Sequence, residues 1–203
     1  MAIDAKVVYE LRNRTGAGIV DCKNALEEAG GDTDQAIEIL KKKGAIKAAK
    51  KSAERQATEG LIATYVHHNG KLAAMVELSC ETDFVARNEE FRQLAQDLAL
   101  QVAAMDAQYV SPEAIPAELV EQKRQEFLAE LAEDKKPEDI KQKIVDGKLN
   151  KWYSEVCLTK QSFIKNEDQT IEQLLNEKIA KIGEKIAPTR LLRMQMAAPT
   201  QSC

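Results

Sequence analysis

Few side chains in this sequence are spaced for chemistry. The two histidines, His67 and His68, sit side by side at a turn signal, His68-Asn69-Gly70. As neighbours on extended backbone they point to opposite faces, so a metal ion would need its ligands from elsewhere, and an exposed turn is the better reading. The cysteines, Cys22, Cys80, Cys157 and Cys203, match no zinc or redox spacing. Four thiols without a secretory leader fit a reducing compartment, the cytoplasm. "RTGAGIVD" carries Gly16 and Gly18 but lacks the Lys-Ser/Thr pair of a phosphate loop, and it follows a helix rather than a strand. No Ser-His-Asp or Cys-His arrangement emerges. Asp83, with Glu81 before it and Glu89 and Glu90 after it, makes an acidic rim, yet these carboxylates spread over too many directions to favour Mg²⁺. The expectation is a protein that acts by contact: not an enzyme, with no catalytic residue, no metal and no cofactor.

One stretch stands out as a surface for contact, "LSCETDFVARNEEF" (78–91). Phe84 falls where the chain must turn between a strand and a helix, and apolar residues at turns are usually buried. Phe91, three residues beyond a helix cap at Asn88, belongs to the core stripe of the next helix, which leaves Phe84 outside that stripe. The residues alone leave open whether Phe84 caps a core or faces a partner.

Elements must position this stretch. The chain has 203 residues, 44% hydrophobic and 31% charged, as expected of a globular protein. Aromatic residues at 4% disfavour a stacking platform for single strands, and a net charge of −4 disfavours general nucleic-acid binding. No apolar run is long enough to span a membrane. Asp4 caps a first helix carrying Val7, Val8 and Leu11 to about Gly16. A second runs from Ile19 to about Ala29, ending at Gly30-Gly31, and a third opens at Asp32 with Gln35 in capping-box position and closes at Gly44. "KKKGAIKAAKKSAER" then reads as a helical linker whose seven cations face one acid, Glu54.

From Gly60 the pattern turns to strands: two β-like runs joined by Asn69-Gly70 form a hairpin. A helix carrying Phe91, Leu94, Ala95, Leu98, Val102 and Met105 follows. Ser111-Pro112 and Pro116 break the chain before a charged helix through Phe127 and Leu131, and Pro137 opens another reaching Val156. A loop spans 160–168, and Thr170 with Gln173 caps a last helix closed by Gly183. Residues 189–196 make a third strand, with Pro188 tolerated only at a strand end or edge. A two-stranded hairpin is marginal in water, so a third strand is physically useful. The fold class is therefore α+β: a three-helix unit over 1–54, with the basic segment at its end, then a core over 55–198 and a tail over 199–203. In that core a small antiparallel sheet (hairpin about 60–80, final strand about 189–196) packs with helices over about 88–182.

Two motifs together carry a resemblance. "ELRNRTGAGIVDCKNAL" (10–26) and "ETDFVARNEEF" (81–91), joined by the AIKAAKK segment, resemble in order and spacing the two signatures of the bacterial translation elongation factor Ts family. The resemblance covers nearly the whole chain and weakens after about residue 185. It implies a ubiquitin-associated-like N-terminal bundle and a guanine-nucleotide exchange factor that binds elongation factor Tu-GDP. Such a factor promotes GDP release by displacing Mg²⁺ and disturbing the nucleotide site, and stays bound until GTP binds, without binding nucleotide itself. Thr82, Asp83, Phe84 and Val85 correspond to the segment that dislocates Mg²⁺, with Phe84 as a wedge, Asp83 meeting polar groups, and Thr82 and Val85 fixing the turn. Arg12, Ile19 and Val20 match positions where the N-terminal unit touches the GTPase; the plain alternative is that Ile19 and Val20 are bundle core.

With one hairpin and one TDF motif, the chain looks like the short, single-core form, in which pairing of two chains replaces a duplicated core. A homodimer is therefore expected. Gln161-Ser162-Phe163 matches a loop that in the family reads Gln-Pro-aromatic; here Ser162 replaces the proline. Two other classes compete. One is an RNA- or ribosome-associated adaptor using the basic 41–55 segment, and the other is a metal-dependent hydrolase using Asp83 with a histidine.

Overall fold

The computed structural model describes residues 3–131 and 137–196. The expected tail 199–203, with Cys203, lies outside them. The fold is α+β, with eight α-helices, a three-stranded sheet and a two-stranded one among the described residues. It divides into two compact units. The first gathers the described residues of Met1–Gly60, Ser79–Asn88 and Gln173–Ala187, and the second those of Leu61–Leu78, Glu89–Glu172 and Pro188–Cys203.

In the first unit, α1 (Ala5–Thr15) starts where Asp4 accepts a hydrogen bond from Lys6 N–H, and ends at Gly16 in the left-handed region (φ 68°). Helix α2 (Ile19–Glu28) and α3 (Thr33–Glu54) complete a bundle whose core is Val8, Leu11, Cys22, Ala25, Leu26 and Ala36. Asp32 caps α3, accepting from the N–H groups of Asp34 and Gln35. The expected stop at Gly44 is wrong: α3 runs through it and absorbs the basic segment as far as Glu54. A helical glycine costs on the order of 1 kcal/mol. Gly44 faces α8 (Ile171–Ile182), where a Cβ would stand 3.6 Å from the Ala180 Cβ, an ordinary van der Waals distance.

In the second unit, β1 (Glu59–Val66) and β2 (Leu72–Cys80) form the expected hairpin, closed by His67 N–H to the Leu72 carbonyl (2.8 Å). Strand β5 (Ala187–Gln195) pairs along β2, giving the order β1-β2-β5. It is antiparallel to β2: Thr189 and Arg190 reach Glu77, while Met196 N–H reaches the Lys71 carbonyl. Pro188 is thus the second residue of an edge strand, where a missing N–H is tolerated. One face of the sheet buries Ala63, Ala74, Val76 and Leu78, while Ile62, Val66, Met75, Leu192 and Met194 are exposed.

Helix α5 (Glu89–Met105) buries Phe91, Leu94, Ala95, Leu98 and Val102. Arg193 of β5 donates from Nε to the Ala103 carbonyl at 3.0 Å, tying sheet to helix. A short 3-10 turn at Pro112–Ala114 leads to α6 (Ala117–Ala129), which pairs with α7 (Glu138–Val156). The expected loop at 160–168 is instead a small hairpin, β3 (Ser162–Phe163) with β4 (Asn166–Thr170), joined antiparallel. Its polar composition hid it, because β4 buries none of its residues and so shows no apolar alternation. No described helix is long and apolar enough to cross a membrane.

Candidate partner-binding site

After β2 the chain makes one helical turn, α4 (Asp83–Ala86), rather than an open bend. Thr82, in extended conformation (φ −129°, ψ 154°), is its cap: the hydroxyl accepts from Val85 N–H at 3.4 Å and the carbonyl from Ala86 N–H at 3.2 Å. Phe84 thereby becomes the second residue of a four-residue helix, and 81% of it is exposed, more than any other large apolar residue of the described chain. The residues alone leave burial or display open and the family resemblance favours display; Phe84 is displayed, for a geometric reason. One turn of helix has one inner side, and Val85 and Ala86 occupy it, both half-buried, while Phe84 faces out.

Asp83 pairs with Arg87 one turn on at 2.9 Å, both side chains largely exposed. A surface pair at this spacing is worth about 0.3–0.5 kcal/mol, so a partner could claim either charge at little cost. The segment before α4 is tied down. The Glu81 carboxylate accepts from Arg55 Nη1 at 3.1 and 3.2 Å and from Lys185 N–H, while the Glu184 carboxylate holds Thr82. Glu81 is therefore a structural anchor and not part of an acidic rim.

Arg12 lies exposed in the last turn of α1, where a cation complements the helix dipole. Ile19 and Val20 open α2 directly after Gly18 and are 41% and 66% exposed, so neither is bundle core; Cys22, Ala25 and Leu26 fill that role on the opposite face. Tyr9, one turn before Arg12 on α1, is also exposed, at 53%. The sequence reading passed over it, although its offset from Val8 and Leu11 places it off the core stripe. Both groups, 82–85 and Arg12, Ile19 and Val20, belong to the first unit.

Gln161 proves to be a core residue of the second unit. Its Nε2 donates to the carbonyls of Met105 (3.0 Å) and Glu155 (2.9 Å), and its Oε1 accepts from Gln101 Nε2 at 3.2 Å. Gln101, fully buried, also donates to the Ser162 carbonyl and accepts from Ile164 N–H. The network pins the β3–β4 hairpin. At the β1–β2 turn the imidazoles are not opposed as expected: His67 lies beyond β1, its ring 4.2 Å from that of His68, and its Nδ1 meets the Tyr65 hydroxyl at 3.0 Å. Among the described residues no three His, Cys, Asp or Glu side chains are grouped to hold a metal ion.

The chain is similar to known proteins over almost its whole length. The profile of the Elongation factor TS family matches residues 32–188. The chain is 48% identical to elongation factor Ts of Fervidobacterium nodosum, over 97% of this chain and 99% of that protein. It is 50% identical to the elongation factor Ts of Syntrophus aciditrophicus, over 97% of each, and 49% identical to that of Desulforamulus reducens, over 96% of this chain and 89% of that protein. With a family profile over three quarters of the chain and about half of its residues identical to these relatives over almost its full length, the chain belongs to the elongation factor Ts family of translation elongation factors.

Proposed function

We propose that this protein is the guanine-nucleotide exchange factor for elongation factor Tu, acting in the cytoplasm by contact and without a cofactor. The observation that carries the reading is Phe84: a large ring held outward on a one-turn helix, with a polar neighbour, Asp83, engaged in a weak surface pair with Arg87. A tight GTPase–nucleotide complex owes its stability to Mg²⁺ and to backbone amides around the phosphates. A partner speeds release only if it binds the nucleotide-free arrangement better than the loaded one. A rigid ring suits that task, since it gains large buried area at small entropy cost once a gap opens for it. Phe84 wedges into the GTPase near its Mg²⁺ site, Asp83 meets polar groups there, and Thr82 and Val85 hold the turn. Arg12, Ile19 and Val20, with Tyr9, dock the N-terminal helices, and the factor stays bound until GTP displaces it. Release of labelled GDP from elongation factor Tu tests this: the protein accelerates it, and an unchanged release rate overturns the reading.

The protein works as a homodimer in this reading. The exposed apolar sheet face, Ile62, Val66, Met75, Leu192 and Met194, supports the pairing, since such a patch seldom stays open to water. Light scattering should return twice the chain mass, and Met194→Lys should halve it. The RNA-adaptor reading is weakened by ion pairing within the basic segment, where Lys41 meets Glu38, Lys43 meets Glu28 and Arg55 meets Glu81. The side chains of Lys47, Lys50 and Lys51 lie outside the described residues.

A further inference from the structure

Glu184 stands just past α8, its carboxylate turned toward the segment that precedes α4. Its Oε2 accepts from the N–H of Glu81 at 3.2 Å and of Thr82 at 3.1 Å, and its Oε1 accepts from the Thr82 hydroxyl at 2.7 Å. With its proton committed to Glu184, that hydroxyl turns a lone pair toward Val85 N–H and so caps α4. The Thr82 carbonyl in turn accepts from the Cys80 thiol at 3.2 Å. The clasp is reciprocal: the N–H of Lys185, the next residue, donates to the Glu81 carboxylate. Hydrogen bonds to an ionised carboxylate are roughly twice as strong as neutral ones. A single turn of helix, by contrast, has no stability of its own in water. The cap orders the turn, and Glu184 orders the cap.

We propose that Glu184 is a positioning residue for nucleotide exchange: it presents Phe84 by locking the Thr82 cap, and does not itself touch the partner. The inference rests on the wedge reading of Phe84. Without the clasp the turn must be ordered at the moment of binding, which costs affinity for the state being trapped. Glu184→Ala should therefore slow stimulated GDP release about tenfold, while circular dichroism at the assay temperature stays native even though thermal unfolding moves down. The same loss should vanish in a Phe84→Ala background, because a residue that acts only through Phe84 has nothing left to position. Hydrogen exchange of the free protein gives an independent readout. The amides of Glu81, Thr82 and Val85 should lose protection in Glu184→Ala, while that of Leu26 in the bundle core keeps it.

If Glu184→Ala is poorly folded, Thr82→Val replaces it. That change keeps the two amide bonds and the side-chain shape but deletes both the hydroxyl link to Glu184 and the cap on Val85 N–H, and should give a loss at least as large, again absent in the Phe84→Ala background. Wild-type release rates in both Glu184→Ala and Thr82→Val overturn the proposal, as does a loss that adds in full to that of Phe84→Ala. If Phe84→Ala itself exchanges normally, the wedge reading fails and this proposal with it. If Phe84→Ala is impaired and Glu184→Ala is not, the positioning role alone fails.

Discussion

Phe84→Ala removes the group on which the proposed exchange mechanism turns, and its effect can be sized from the structure. The residue is 81% exposed in the free protein, so almost its whole ring is available to a partner. Phenylalanine buries on the order of 150–250 Å². Taking about 150 Å² newly covered at about 25 cal/mol per Å² gives roughly 4 kcal/mol gross. The Cβ that alanine keeps, and the entropy of fixing the ring, bring the net loss to about 2–3 kcal/mol. At 1.4 kcal/mol per decade the trapped nucleotide-free complex weakens roughly 30–150-fold. Folding stability should change by no more than about 0.5 kcal/mol, because nothing buried is lost.

The assay is stopped-flow release of fluorescent GDP from elongation factor Tu across a range of exchange-factor concentrations. The split between parameters is informative. Loss of a wedge that favours only the nucleotide-free state lowers the maximal rate, whereas loss of a uniform contact shifts only the half-saturating concentration. Stimulation within about twofold of wild type, with unchanged circular dichroism, refutes the wedge; a change confined to half-saturation reduces Phe84 to a docking contact.

Three further outcomes follow from the same geometry. Ile19→Ser with Val20→Ser should raise the half-saturating concentration about tenfold, leave the maximal rate in place, and cost little stability, since both residues are solvent-facing at the start of α2. Gln161→Ala orphans the carbonyls of Met105 and Glu155 and one contact of the buried Gln101, so urea unfolding should show a loss of about 2–4 kcal/mol, with exchange per folded molecule unchanged. Burial pushes the Cys80 thiol up to about 11, helped by the charge of Glu184, and Cys157 also to about 11, helped by Glu113. Native thiols then stay protonated where unfolded ones, near 9, have ionised. Stability should be full below pH 9 and fall between pH 9 and 11, by up to about 2–3 kcal/mol per thiol, less so in Cys80→Ala and Cys157→Ala.

Much of the architecture was legible because it is local. The stops and caps of α1 and α2, the Asp32 cap, the β1–β2 hairpin and the stripe of α5 each depend on residues within a few positions of one another. Hydrogen-bond closure and side-chain period act at that range. Reading misled in two places. Gly44 has the right chemistry for a helix end, but the lysine- and alanine-rich run beyond it favours helix, and α3 continues through it to Glu54. The β3–β4 hairpin is held by Gln101 and Gln161 rather than by an apolar face, so no alternation announced it.

The same division holds for the site. By itself the sequence offered no recognisable catalytic spacing, set two motifs in an order belonging to one family, and placed Phe84 outside the core stripe of the following helix. It left burial or display of Phe84 undecided, because exposure is a property of what fails to cover a residue. Tertiary structure decided that point: Thr82 caps a single helical turn, and Glu184, 102 residues further along the chain, holds the cap in place. A carboxylate that far away leaves no local trace in the sequence around Phe84, since its reach is set by the path of the folded backbone and not by the spacing of residues.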